Sequence, residues 1–414
     1  MWATRMSCDA RQSLMPVKEA LAALLANAKP SADVEWLAIE DALGRVLAED
    51  QLSVVDVPPQ DNSAMDGYAL NTAALGDKSV KRLRVSQRIP AGTAPQMLQP
   101  QTAARLFTGS EIPLGADAVV MQENTVAVDE GGEQWVEFLE VPVAGNNIRR
   151  RGQDVRAGQV VMPVGTRLQA SHLGVLASVG IARVQVYRPI KVAVLATGDE
   201  LVMPGNPLKP GQIYNSNLFT LRGLLQGLGC EIVMSSMVED TREGTIAALQ
   251  QASERADCII TSGGVSVGEE DHVKAAVESQ GELKLWKLAI KPGKPMAFGY
   301  VNGKPLLGLP GNPSAVLVTF CILARPFLLK SMGVASVLPQ QLFVEAGFSR
   351  TRAISRQEYL RVELVAGRAV LGHSQSSGVL SSAVTATGYL VVPAGAVVNE
   401  GDRLPFIPFS EVGI

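Results

Sequence analysis

The spacing of hydrophobic residues changes along the chain, and each change marks a different kind of element. Near the N-terminus, Val17, Ala20, Leu21, Leu24, Leu25 and Ala28 recur at steps of three and four, predicting an amphipathic helix that starts near Pro16. Residues 33–60 and 152–189 are Val-rich with short extended runs, and residues 61–151 read as many short strands broken by Gly and Pro. At Lys191 the character becomes an alternation. KVAVLATG reads as a buried strand and NLFTLRGLLQGLG as a helix closed by Gly229. EIVMSSMV, REGTIAALQQASERA and DCIITSGG continue the alternation, followed by a helix over about residues 269–279. A last helix is expected from Asn312 or Ser314 to about Lys330. Alternation of this kind predicts a parallel sheet wrapped by helices, with ligands at the carboxyl ends of its strands. Beyond residue 338 short strands return, predicting a small β-barrel or sandwich.

Composition narrows the function classes. A chain of 414 residues exceeds one ordinary core, so roughly two to four domains are expected. The net charge is −3 with the signs interspersed, which argues against a nucleic-acid or membrane-surface binder. The single basic run, Arg149, Arg150 and Arg151, reads as a solvated turn. Cys8, Cys230, Cys258 and Cys321 form no Cys-x-x-Cys pair, and three of them sit in apolar surroundings, as expected in a reducing, cytoplasmic setting. His172, His272 and His373 offer no i,i+4 pair, which argues against zinc and leaves magnesium, with oxygen ligands, as the expected metal. The longest apolar run, 315–324, is too short to span a bilayer.

Polar signals concentrate in four loops of the alternating unit. ATGDEL places Asp199 and Glu200 past one strand end, and TSGG places Ser262, Gly263 and Gly264 past another. LAIKPGKPMAFG sets Lys287 (just before it), Lys291 and Lys294 around a Pro-Gly turn. GLPGNPSAV feeds a helix whose free N–H groups would bind an anion. Each feature has a plain structural explanation: a tight turn for the glycines, solvated charge for the lysines, a helix start for Asn312 and Pro313. Glu269, Glu270 and Asp271 would suit the positive end of a helix, although Asp271 lies off the apolar stripe of Val273, Ala276 and Val277. Convergence of the loops on one sheet edge is what predicts a phosphate-type ligand. Outside this unit, VPPQDNSAMDGYAL and NIRRRGQDV are unusually polar, read by themselves as a turn and a salt-bridged linker.

Taken in order, DNSAMDGYA, NIRRRGQD, TGDEL, GQIYNSN, SGGVSVGEEDH, KLAIKPGKPMAFG and GLPGNP resemble the molybdopterin molybdenumtransferase family, the MoeA proteins and the gephyrin E domain. The resemblance implies a multidomain α/β plus β fold: a molybdopterin-binding-type α/β domain at 190–338, a discontinuous linking domain at 33–60 and 152–189, an inserted β-rich domain at 61–151 and a C-terminal barrel at 339–414. The N-terminal helix, 11–32, would pack on the α/β domain. It implies a homodimer with an inter-subunit site, transient contact with other pathway proteins, and no nucleic-acid or membrane partner. The implied reaction transfers molybdenum from molybdate to adenylylated molybdopterin, with Mg²⁺ and release of AMP. By position, Asp66, Glu200, Asp240 and Asp271 match the family's catalytic and metal-binding acids, and Lys287 and Lys291 its catalytic lysines. Thr108, Asp154, Ser262, Gly263, Gly264, Lys294, Pro310, Pro313 and Ser377 match positions that hold the pterin and its phosphates. Gln153, His272 and Ser376 depart from the family pattern. Two other readings fit parts of the chain: a molybdopterin adenylyltransferase, which would not need the flanking β domains, and a non-catalytic dimeric scaffold, which would not need the acids.

Overall fold

A computed structural model describes residues 14–75, 82–239, 241–264 and 272–414. The alternating segment forms a six-stranded sheet with β1 (Lys191–Thr197), α1 (Asn217–Leu228), β2 (Glu231–Val238), α2 (Arg242–Arg255), β3 (Cys258–Ser262), α3 (His272–Gln280), β4 (Gly281–Lys287), β5 (Pro295–Val301), β6 (Lys304–Leu309) and α4 (Pro313–Thr319). The strand order is β2-β1-β3-β6-β5-β4. β2, β1, β3 and β6 pair in parallel, whereas β5 is antiparallel to both β6 and β4. The expectation of a parallel sheet therefore holds for four strands. The departure comes from Asn302 and Gly303, whose φ of +48° and +78° make a two-residue hairpin turn between β5 and β6. It also makes strand of PMAFG, expected as loop.

The helices cover both faces for reasons written in their spacing. Leu218, Leu221, Leu224, Leu225 and Leu228 of α1 are all buried, and Gly229 closes the helix at φ +84°. Each such leucine contributes about 1.5–3 kcal/mol of burial. Thr241 caps α2 by accepting the Gly244 N–H at 3.1 Å. Val273, Ala276 and Val277 of α3 lie in the core, as their stripe predicts; the first residues of the helix expected at 269–279 fall outside the described residues. The last helix runs continuously over Pro313–Ser331 through a π turn at Phe320–Ala324. It is longer than its apolar run of 315–324 and, at 19 residues, long and apolar enough to cross a membrane, but it is 89% buried as the core helix of this unit. The N-terminal helix, Val17–Asn27, adds Val17, Ala20 and Leu24 to the same core.

Ahead of this unit the chain goes out and returns along paired ribbons. Val34–Ala38 pairs with Arg183–Tyr187, Gln51–Leu52 with Val160–Met162, and Asn62–Ser63 with Ile148–Arg149, all antiparallel. Within 152–189, read as Val-rich with short extended runs, residues 170–178 form the helix Ala170–Ser178, whose Leu176 is buried with Leu47, Met162, Leu168 and Val186. Between the ribbons, six strands from Gly67–Leu70 to Glu133–Phe138 build the inserted β-rich domain. At the C-terminus Gln357–Val365 pairs with both Arg368–Leu371 and Gly388–Val392, closing five strands into a barrel rather than a sandwich.

Candidate active-site cavity

β1 is followed in sequence by β2 on one side of it and, later, by β3 on the other. The carboxyl ends of β1 and β3 thus flank the point where the strand order reverses, where ligands bind in open α/β sheets. A cavity of about 600 Å³ opens there. Thr197, Glu200, Ser262, Gly263, Gly264, Lys294, Pro310 and Pro313 line it, and Ser377 joins them from the C-terminal barrel.

The two glycines are required by space. Gly263 has φ +89°, and a Cβ there would lie 2.7 Å from the carbonyl oxygen of Thr197. Gly264 has φ +63° and backs onto Val273 and Thr197. Opposite them, Asn217 Nδ2 donates to Ser262 Oγ at 2.9 Å and to the Gly311 carbonyl at 2.7 Å, tying the start of α1 to both turns. Asn217 Oδ1, in the same side chain, is buried with no hydrogen-bond partner among the described residues.

The start of α4 is not the anion cradle expected of it. Pro313 has no N–H, the Ser314 N–H donates to the Ser377 carbonyl at 2.9 Å, and those of Ala315 and Val316 both donate to Asn312 at 2.9 Å. The barrel has taken the Ser314 donor and Asn312 the next two. Positive charge at the cavity comes instead from Lys294 and from Arg356, which precedes the barrel strand Gln357–Val365. Arg356, Asn215 and Asn217 escaped the sequence reading, although GQIYNSN was singled out. A polar run directly before an apolar helix was the available signal.

The other expected lysines lie elsewhere. Lys287 ends β4 opposite Pro295 and its side chain does not line the cavity. Lys291 is drawn to Glu358, whose side chain is 3% exposed: Nζ stands 3.0 Å from Oε1, close enough for attraction but out of hydrogen-bond alignment. Arg350 pairs with the other oxygen of Glu358 at 2.6 Å. This triad, built on the buried Glu358, fastens the Ile290–Lys291 strand to the barrel.

Asp66, Thr108 and Asp154 also sit away from the cavity lining. Thr108 donates to Asp66 Oδ1 through its N–H at 2.7 Å and its hydroxyl at 2.8 Å, and these bonds hold the Asp66 carboxyl below its usual range. Asp154 is exposed beside the ribbon, its N–H donating to Val57. The linker reading of NIRRRGQDV holds for its arginines: Arg150 pairs with Asp61 at 2.7 Å and Arg151 with Asp56 at 2.5 Å. Asp240 and Asp271 lie outside the described residues. Among the described residues, no group of three His, Cys, Asp or Glu side chains is assembled to hold a metal. Glu200 is the expected metal-binding acid that reaches the cavity.

Comparison with known proteins covers nearly the whole chain. Residues 15–180 match the MoeA N-terminal region (domain I and II), 193–330 a probable molybdopterin binding domain, and 344–409 the MoeA C-terminal region (domain IV). A molybdopterin molybdenumtransferase of Haemophilus influenzae is 43% identical over 79% of this chain and 80% of its own length. One from Bacillus subtilis is 33% identical over 95% of this chain and 93% of its own. The crystal structure of a molybdopterin biosynthesis moeA protein from Pyrococcus horikoshii superposes with a TM-score of 0.82 at 28% identity, covering 96% of this chain and all of that one.

Proposed function

The chain belongs to the MoeA family, and from that premise we propose that it transfers molybdenum from molybdate to adenylylated molybdopterin, releasing AMP. The observation that carries this reading is the cavity itself, where Lys294 and Arg356 stand with the Gly263-Gly264 turn at the switch point of the sheet. Molybdate and the pyrophosphate of the adenylylated pterin are both anions, and guanidinium, ammonium and hydroxyl donors are the groups that hold such anions. Ser262 and Ser377 add hydroxyls at the same wall. The two rival readings are not favoured, because the relatives that match through the β domains as well as the α/β domain are named molybdopterin molybdenumtransferases.

Magnesium fits the donor chemistry on the wall. Glu200 offers a carboxylate there, a hard oxygen ligand of the kind Mg²⁺ takes. The ion would neutralise the pyrophosphate oxygens so that AMP can leave. Asp240 and Asp271 complete the proposed acid set, and Lys287 and Lys291 are proposed to act with it although neither lines the cavity. Asp66 and Thr108 are proposed to reach the cavity of a second protomer, with Asp154 beside them and Pro310 and Pro313 shaping the opposite wall. That arrangement makes the homodimer a requirement of the reaction. It explains why Asp66 is held ionised by Thr108 in a domain that does not line its own chain's cavity. A reducing, cytoplasmic setting suits the three unpaired buried thiols, and transient contact with proteins that supply the adenylylated pterin completes the reading.

The purified dimer, given adenylylated molybdopterin, molybdate and Mg²⁺, is expected to release AMP. No release would refute the enzyme. Asp66→Asn is expected to slow release at least about a hundredfold while the dimer persists, a loss of the size that misplacing one catalytic group produces. Normal turnover in that variant would remove Asp66 from the site.

A further inference from the structure

The C-terminal barrel buries a charge for which the reaction above has no use. Arg361, on the strand Gln357–Val365, has no exposed surface. Its Nη2 donates to the backbone carbonyls of Ser374 and Ser376, both at 3.0 Å. Among the described residues its Nε and Nη1 are buried without partners, as is the hydroxyl of Tyr389. Every ion pair of Glu358, three residues before it, goes to Lys291 and Arg350 instead. Burying a guanidinium away from a counter-ion carries a desolvation penalty that two neutral carbonyls do not offset. An apolar side chain of similar volume would fill the same space without that penalty. What arginine adds is a planar fork that grips two carbonyls of one loop.

The gripped loop leads directly to the cavity. Gln375, between the two carbonyls, clasps the backbone of Arg361 from its side: the Arg361 N–H donates to Oε1 at 3.0 Å, and Nε2 donates to the Arg361 carbonyl at 2.8 Å. One residue beyond Ser376, the Ser377 carbonyl takes the Ser314 N–H at the start of α4, and Ser377 lines the cavity. The Ser314 hydroxyl then donates to the Val379 carbonyl at 2.7 Å, fixing the loop on its far side.

We propose that Arg361 is a positioning residue for the anionic substrate: through the carbonyls of Ser374 and Ser376 it sets where Ser377 and the first turn of α4 stand in the cavity wall. Arg361 touches no substrate itself. The proposal rests on the activity proposed above, and its test separates the two.

Full-length wild type, Arg361→Met, Arg361→Lys and Gln375→Ala are compared in molybdate binding by calorimetry and in AMP release. Arg361→Met is expected to raise the Kd and KM for molybdate about tenfold with kcat changed less than about threefold, because a misplaced wall weakens ground-state and transition-state binding alike. Gln375→Ala is expected to shift KM in the same direction by about threefold, and Arg361→Lys, which keeps the charge but not the fork, to fall between wild type and Arg361→Met. Molybdate Kd and KM equal to wild type in the folded variants, with kcat merely following the folded fraction, would overturn the proposal. Should Arg361→Met fail to fold, Arg361→Lys and Gln375→Ala decide it by the same split. A wild type that neither binds molybdate nor releases AMP would instead refute the activity.

Discussion

Replacing Gly264 with alanine asks whether the turn after β3 needs glycine for space as well as for conformation. At φ +63° any Cβ costs about 1–2 kcal/mol in the left-handed region. The new methyl would also overlap Cγ2 of Val273 and lie 2.9 Å from Oγ1 of Thr197. Val273 is 1% exposed on α3, within the core beneath the sheet, so it cannot swing aside. Overpacking of that kind adds about 1–3 kcal/mol, for a sum of about 2–5 kcal/mol. Gly303→Ala is the matching control: φ is +78°, yet nothing lies within 4 Å of the added Cβ. The control therefore keeps the conformational part alone. At about 2–4 °C per kcal/mol for a domain of this size, scanning calorimetry should place Gly264→Ala roughly 2–12 °C below Gly303→Ala. Equal melting temperatures would refute the claim that Val273 and Thr197 close the space behind the turn.

Three further outcomes can be measured. Glu358→Gln leaves Lys291 and Arg350 without a counter-ion; since these are 37% and 25% exposed, water recovers part of the loss, and the cost should be about 2–3 kcal/mol by chemical denaturation, with a change under about 0.5 kcal/mol refuting the triad. The Asp56 carboxyl is held below 3.8 by the Ala157 N–H and then by Arg151; in Asp61 the Arg151 N–H and Arg150 outweigh a desolvation that acts upward. Their folded values are depressed, so the stabilisation is complete above the unfolded value and disappears as pH falls through the folded ones; carboxyl NMR titrations with midpoints at or above 3.8 would contradict this. Burial pushes the Cys230 and Cys321 thiols up to about 12, and that of Cys258 higher still, so a thiol reagent at pH 8 should leave all three unmodified until denaturant is added.

What could be read from sequence was whatever depends on neighbours close in the chain. The leucine stripe of α1, its Gly229 cap and the buried strands of the sheet follow from local spacing. The helix Ala170–Ser178 was hidden because valines on both sides of it favour strands, and its core partners Leu47 and Val186 stand far away in sequence. The Asn302-Gly303 turn was a local signal that went unused, and it decides the antiparallel edge of the sheet. At the cavity, the lining from β1, β3 and β6 was legible because sheet topology dictates where their loops meet. Three of the departures come from the barrel. Ser377 occupies the Ser314 donor from 63 residues downstream, Glu358 holds Lys291 from 67 residues downstream, and Arg356 enters from the same strand region. No spacing rule within the α/β domain could have anticipated those contacts.

The ribbon that carries the inserted domain sets a limit on what Asp66 can do. Just before Asp66, Asp56 and Asp61 on the outgoing strand are stapled to Arg151 and Arg150 on the returning one, and the Arg151 N–H donates to Asp61 at 2.8 Å. Two strands that could flex separately therefore move as one stiff beam. For the proposed reach of Asp66 into the cavity of a second protomer, stiffness of the beam would set its effective concentration there. On that proposal the staples would contribute to turnover without touching any substrate, by keeping Asp66 from sampling the solvent volume that a loose tether would allow.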